Sequence, residues 1–155
     1  MTQELVTTGN VLPPTPPEII EKIKAIEERI RPHEHTLQVQ MEHLLHAGTY
    51  ARTCRLGAMM VITSVLMKIP TVLIVNGECA VFAGHQWHTL TGYNVIPASA
   101  GRKQIYVTRE PTEITMLFPT QAKTVKDAEA EFTDEWADLL SNRQAGNDLV
   151  VVTGA

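Results

Sequence analysis

The chain lacks most of the features that announce a chemistry. Its two cysteines, Cys54 and Cys79, match no C-x-x-C spacing, and they are read as small buried hydrophobes rather than a disulfide or a metal pair. No segment approaches the ~20 consecutive apolar residues that span a bilayer. The leader MTQELVTTGN has no basic stretch followed by a long apolar run, so neither a membrane anchor nor a signal peptide is expected. Basic charge is not in excess either. Lys and Arg number 13 against 17 Asp and Glu, a formal charge of -4 that attracts no phosphate backbone and argues against nucleic acid as a partner. There is no glycine-rich phosphate loop, and Ser64 and Ser99 lack the context of a nucleophile elbow.

What remains is a chain of 155 residues, the size of one domain and long enough to bury a core without disulfides. Residues 1–17 form a Pro-rich arm ending in Pro13-Pro14-Thr15-Pro16-Pro17, composition that favours extended backbone. Thr15 and Glu18 have capping-box spacing, which predicts a helix beginning there, covering 18–31 and stopping before Pro32. Along it Ile19, Ile23, Ile26 and Ile30 recur at intervals of four, three and four. That stripe suits either docking on the chain's own core or a short coiled-coil seam, and isoleucine at both core positions favours three or four copies over two.

From His35 the period changes to two, with Leu37, Val39 and Met41 alternating with polar residues. Strand signals follow near 49–56, 58–66, 71–76, 79–83, 86–90, 93–96, 103–108 and 112–118, punctuated by Gly57, Gly77, Gly84, Gly92, Gly101 and Pro111. Short strands at such spacing predict a barrel or sandwich over 35–120. Residues 121–155 are expected to hold one amphipathic acidic helix, from Thr124 to near Gly146, and a terminal apolar strand, Leu149-Val150-Val151-Val152. A β-branched run at that place is expected to pair with its own sheet or a neighbour's.

The stretch GTYARTCRLGAMMVITSVLMKIPTVLIVNGE, residues 48–78, resembles small cupin-like proteins of tailed bacteriophages, through Gly48, Tyr50 and Arg52 and the turn Asn76-Gly77-Glu78. Gly92, Pro97 and Gly101 resemble the second cupin motif. The resemblance implies a mainly β fold, a cupin-like jelly-roll barrel flanked by an N-terminal helix and a C-terminal amphipathic helix. It also implies a bacterial host cytoplasm as the place of synthesis, with incorporation into a virion as a further expectation. Cupins with metal chemistry carry histidines at positions that fall here on Met67, Thr71 and Gln104. Thioether, hydroxyl and amide do not replace imidazoles for a hard or borderline metal, so no metal and no cofactor is expected.

Six histidines remain, as His33-x-His35, His43-x-x-His46 and His85-x-x-His88, and none stands in a recognised ligand constellation. Arg102-Lys103 after Gly101 reads as a hairpin with solvated basic side chains. The favoured function is a non-enzymatic assembly subunit, a homo-oligomer or trimer bound to other phage structural proteins through Ile19, Ile23, Ile26, Ile30 and Leu149 to Val152. The competing function is a small-molecule binder or metal-dependent enzyme whose barrel cavity would be lined by Arg52, His88, Gln104 and Tyr106. A third reading is a phage protein that binds a host factor.

Overall fold

The computed structural model describes residues 11–36, 39–143 and 148–153. Helix α1 (Pro17–Ile30) and a 3-10 turn (Arg31–Thr36) precede seven strands. These are β1 (Gln40–His46), β2 (Thr49–Leu56), β3 (Val61–Thr63), β4 (Thr71–Ala83), β5 (Gln86–Ala98), β6 (Ile105–Thr108) and β7 (Thr112–Pro119). After them come α2 (Val125–Phe132), a second 3-10 turn (Trp136–Asp138), α3 (Leu140–Arg143) and β8 (Asp148–Val152). The eight strands form one sheet in the order β3-β6-β4-β7-β2-β1-β8, with β5 on the other edge of β4. Every pairing is antiparallel except β1 with β8.

β6 and β7 share one edge of β4, end to end on either side of Gly77. Ile62 of β3 packs against both the main core and the buried cluster of Val39, Met41 and Leu56. The sheet is curled into a half-barrel, and its concave face carries the core. The fold is mainly β and jelly-roll-like, with helices near both ends, as expected.

Side-chain parity sets what the concave face presents. Directly opposed residues of antiparallel strands share a face, and the register links His43 to Arg52, Arg52 to Met116, Met116 to Leu73 and Leu73 to Ile96. Arg52 thus points inward because its whole row does. The long β4–β5 hairpin differs from the expectation of four short strands. Gly77 and Gly92, read as breaks, oppose one another within two continuous strands. Gly77 marks instead the point where β4 exchanges β7 for β6 as its partner. Its φ is +150°, and a Cβ there would meet Thr112 and come within 2.7 Å of the Pro111 carbonyl oxygen. Only glycine lets the backbones approach so closely.

Both terminal regions turn back onto the barrel. Leu12 is buried and forms a parallel bridge with Ala98; its N–H donates to the Pro97 carbonyl at 2.7 Å. Thr15 does not close the expected capping box. Its hydroxyl bonds the Lys103 backbone on both N–H and carbonyl at 2.8 Å, and α1 begins after Pro16 with no side-chain cap. Of the isoleucine stripe, Ile23 is enclosed by the chain itself, Ile19 and Ile30 are half-buried, and Ile26 is exposed. The stripe is a docking face, and Ile23 is not accessible to a neighbouring copy.

The single long acidic helix is replaced by three short helical pieces. Thr124 caps α2 as expected, accepting from the Asp127 N–H at 3.1 Å. At Thr133 the backbone turns extended, and the buried hydroxyl donates to the Leu66 carbonyl at 2.8 Å. A β-branched residue with a better partner outside the helix ends it there. The end expected at Gly146 lies outside the described residues, as do residues 1–10 and Leu37. The terminal strand adds to the chain's own sheet, in parallel register from Met41–Asp148 to Leu45–Val152.

Candidate functional site

The concave face encloses a cavity of about 130 Å³. Its apolar wall comes from the sheet, through residues such as Met41, Ile62, Leu73 and Met116, and from the segment that crosses the opening, through Phe132, Leu139 and Leu140. Its polar lining includes Arg52 from β2, and Arg102, Gln104 and Tyr106 from the run that enters β6, together with Thr63, Ser64 and Asp138. Three of them, Arg52, Gln104 and Tyr106, are among the four cavity residues expected from the sequence. His88 does not line the cavity. It shares the inner face with Val81 and Leu90, but it lies towards the β4–β5 turn and is half-buried.

Arg102 was the residue missed. It is only 1% exposed and Lys103 only 2%, which overturns the solvated hairpin expected for this pair. In extended backbone the two point to opposite sides. Arg102 Nε donates to Gln104 Oε1 at 3.1 Å, Nη1 to the Ser99 carbonyl at 2.7 Å, and Nη2 to Thr71 Oγ1 at 2.6 Å. The Met67 N–H donates to the Arg102 carbonyl at 2.9 Å. So Met67, Thr71 and Gln104, the three positions at which the resemblance would place metal ligands, all meet Arg102, Met67 through the backbone and the other two at the guanidinium. The available signal was parity, since Arg102, Gln104 and Tyr106 stand two apart and share a face.

Gln104 is fixed by its neighbours. Its Oε1 accepts from both Arg102 Nε and the Tyr106 hydroxyl, the latter at 3.2 Å. A flipped amide would set N–H against the Arg102 Nε–H, which can only donate, so the assignment follows from the network. Among the described residues its Nε2 consequently has no acceptor, although it is buried. Such an orphan costs about 1–3 kcal/mol when nothing fills the place.

Arg52 is held differently. Its Nη1 donates to Glu129 Oε2 at 3.1 Å and to Ser141 Oγ at 3.2 Å, and its guanidinium carbon lies 5.8 Å from the centre of the Phe132 ring. Glu129, buried in α2, also accepts from Ser141 at 2.6 Å and from Asn142 at 3.1 Å. This network fastens the C-terminal segment over the cavity. Beyond it His43 Nδ1 and the Tyr50 hydroxyl are 2.8 Å apart, both buried. Glu42, next to His43 on β1, faces the other way and pairs with Arg55.

Proton chemistry is poorly served on this wall. Burial pushes the Cys54 thiol up to about 12, against the lowering effect of Arg52, and burial pushes Cys79 up to about 11. Neither is a thiolate nucleophile at neutral pH. Burial also raises the Tyr106 phenol, with Arg102 opposing it. The Arg102 guanidinium is lowered by burial and raised by Tyr106. What the cavity offers is hydrogen-bond donors.

The donor set does not fit a divalent metal. Thr71 Oγ1 and Gln104 Oε1 already accept from Arg102, whose positive charge would repel a cation at the same place. Among the described residues no three His, Cys, Asp or Glu side chains form a group able to hold a metal ion. His43 and His46 lie on strand β1, where a spacing of three puts them on opposite faces. Among the described residues, too, no helix is long and apolar enough to cross a membrane.

No protein-family model matches the chain, and no curated protein matches it. Solved structures do. A cupin superfamily protein from Desulfitobacterium hafniense is similar with 13% identity and a TM-score of 0.46, over 54% of this chain and 79% of that one. The cupin domain of Cnp3 from Schizosaccharomyces pombe is similar with 12% identity and a TM-score of 0.44, over 70% and 77%. A cupin-2 domain containing protein from Shewanella frigidimarina is similar with 13% identity and a TM-score of 0.41, over 58% and 91%.

Proposed function

We propose that this protein is a small-molecule binder that uses the cavity of its half-barrel, rather than an enzyme built on a metal. The observation that carries this is the convergence of Arg102, Gln104 and Tyr106 on a largely apolar cavity of about 130 Å³. A few fixed polar groups in an apolar concavity are the usual make-up of a ligand site. A cavity of similar size, about 150 Å³ and apolar, admits benzene. The test is thermal unfolding of the full chain with 1-hexanol and with toluene. A rise in Tm that is lost on filling the cavity by Leu73→Phe supports the reading. No rise with either guest, and none with the charged guests named below, removes it.

A second reading rests on β8. Leu149, Val150, Val151 and Val152 are 44–53% exposed, and among the described residues β8 pairs only with β1. An apolar edge strand of this kind is a template for another chain. We propose that a second copy of this protein pairs there. A phage capsid or tail subunit, the role implied by the resemblance, draws support from this edge alone, because the isoleucine stripe and the described part of the arm lie on the chain's own barrel. Sedimentation of Val150→Lys against the unaltered chain checks it: a mass that falls supports self-pairing, and an unchanged mass refutes it.

A further inference from the structure

We propose that the ligand is a small organic monoanion, a carboxylate on an apolar body of about six carbons, bound through its carboxylate by Arg102 and the amide nitrogen of Gln104. This deepens the binding reading above and rests on it.

The sign of the ligand follows from a missing counter-charge. Among the described residues, three cations have largely buried side chains. Lys103 Nζ lies 2.9 Å from Glu27 Oε2, and Arg52 lies 3.1 Å from Glu129 Oε2. Arg102 has no carboxylate within pairing distance among the described residues, and its three acceptors, Gln104, Ser99 and Thr71, are neutral. A guanidinium has five N–H groups, so two are left over. Buried charge without a partner is costly enough that it is seldom kept for stability. Gln104 Nε2 adds a second unmet donor from the same wall. A water molecule would satisfy the amide but would not neutralise the guanidinium. A carboxylate does both.

The valence and the body follow from the rest of the wall. With Arg52 neutralised by Glu129, one positive charge remains inside. The acid at the cavity's edge, Asp138, is half-exposed and lies 3.9 Å from Arg31, and it disfavours a second negative group on the ligand. A phosphate or a dicarboxylate would arrive with surplus charge. Beside the neutral Thr63, Ser64 and Cys54, the other walls are aliphatic, thioether or phenyl, through Met41, Leu73, Met116 and Phe132, so the body that meets them is apolar. The capacity is that of a ring or chain of about six carbons.

The test is calorimetric titration of the full chain with sodium hexanoate and sodium benzoate, beside 1-hexanol, hexylamine and inorganic phosphate. At least one carboxylate is expected to bind about tenfold or more tightly than 1-hexanol, with hexylamine silent. Gln104→Leu is expected to weaken that carboxylate about 10-fold, and Arg102→Met about 100-fold. Gln104→Glu is the decisive variant, because it places an internal carboxylate against Arg102 and Tyr106. It should raise Tm and abolish carboxylate binding together, and it separates the outcomes even if Arg102→Met does not fold. If 1-hexanol binds as well as hexanoate, the anionic assignment is overturned while the cavity reading stands. If phosphate binds as well as hexanoate, the apolar body is wrong. Silence from every probe overturns both.

Discussion

Arg102 and Lys103 are neighbours in sequence, equally buried, and opposite in environment. Lys103 faces outward under α1, where Glu27 meets it at 2.9 Å and the Ser64 carbonyl accepts at 2.7 Å. Arg102 faces inward to the cavity and finds only neutral acceptors. The outer cation fastens a helix to the barrel. The inner one is held in position by Thr71, Ser99 and Gln104 while its charge goes unanswered. A site that keeps an unanswered charge is organised for something other than the stability of the empty protein.

The largest effect should come from breaking the outer pair. Glu27→Gln leaves Lys103 buried without a carboxylate, and removal of one partner of a buried pair costs about 3–5 kcal/mol. A value near the lower end is expected, since Glu27 retains some exposure at 18%. Urea unfolding measures it. The double change Glu27→Leu with Lys103→Met should recover most of the loss, because an apolar pair of similar volume is often neutral. A double variant as unstable as the single one would mean that the charge is not the issue, and the comparison with Arg102 would fail.

Next in size is the pair that fastens the segment over the cavity. Glu129→Gln strips Arg52 of its counter-charge and weakens the two bonds that hold Ser141 and Asn142 to α2. A loss of about 2–3 kcal/mol is expected, with hydrogen exchange faster in 136–143 than in the β4–β5 hairpin. If exchange rises evenly over the whole chain, the segment is not a separately anchored part. Arg52 would then belong with Lys103, as a cation that serves the fold alone.

A smaller effect is set by pH. The Cys54 thiol, at about 12 in the fold and about 9 when unfolded, is raised by folding. Its contribution is complete below pH 9 and is lost as pH rises towards 12, because the unfolded chain gives up the proton first. Each such group can add a slope of up to about 1.4 kcal/mol per pH unit in that window. Cys54→Ala should flatten the alkaline limb, measured as stability at pH 8 against pH 10. Parallel limbs for the unaltered chain and Cys54→Ala would show that the cavity wall is wetter than its burial implies.

Much of the scaffold was legible in the residues, and the misses have common physical causes. Strand periods and turn residues located β2 and β7 closely, because Gly48 and Gly57 bound the first and Pro111 precedes the second. Gly77 and Gly92 misled because a glycine that ends a strand and one that lets two strands cross closely look identical in one dimension. Thr15 misled for a related reason: a hydroxyl with capping-box spacing was taken up by the distant Lys103 backbone, and the helix expected through Thr133 ends there because that hydroxyl bonds the Leu66 carbonyl. At the site, Arg52, Gln104 and Tyr106 were found and Arg102 was not. A pair of adjacent basic residues after a glycine is usually solvated, and nothing local shows that one will be enclosed by a curled sheet and the other by a helix.

The finest test returns to Arg102 itself. Arg102→Met removes a guanidinium with no counter-ion, together with three hydrogen bonds to neutral groups. The lost bonds, about 1 kcal/mol each in net terms, oppose relief from the desolvated charge, which mutational replacements of buried ions put at a similar size. The net change in unfolding free energy should therefore fall within about 1 kcal/mol of zero, several-fold below the cost of Glu27→Gln. Carboxylate binding should nevertheless collapse. Stability that is indifferent to Arg102 beside binding that depends on it would separate the inner cation from its outer neighbour. A loss as large as that from Glu27→Gln would instead make Arg102 a structural charge, and the unfilled donors around it a by-product of packing.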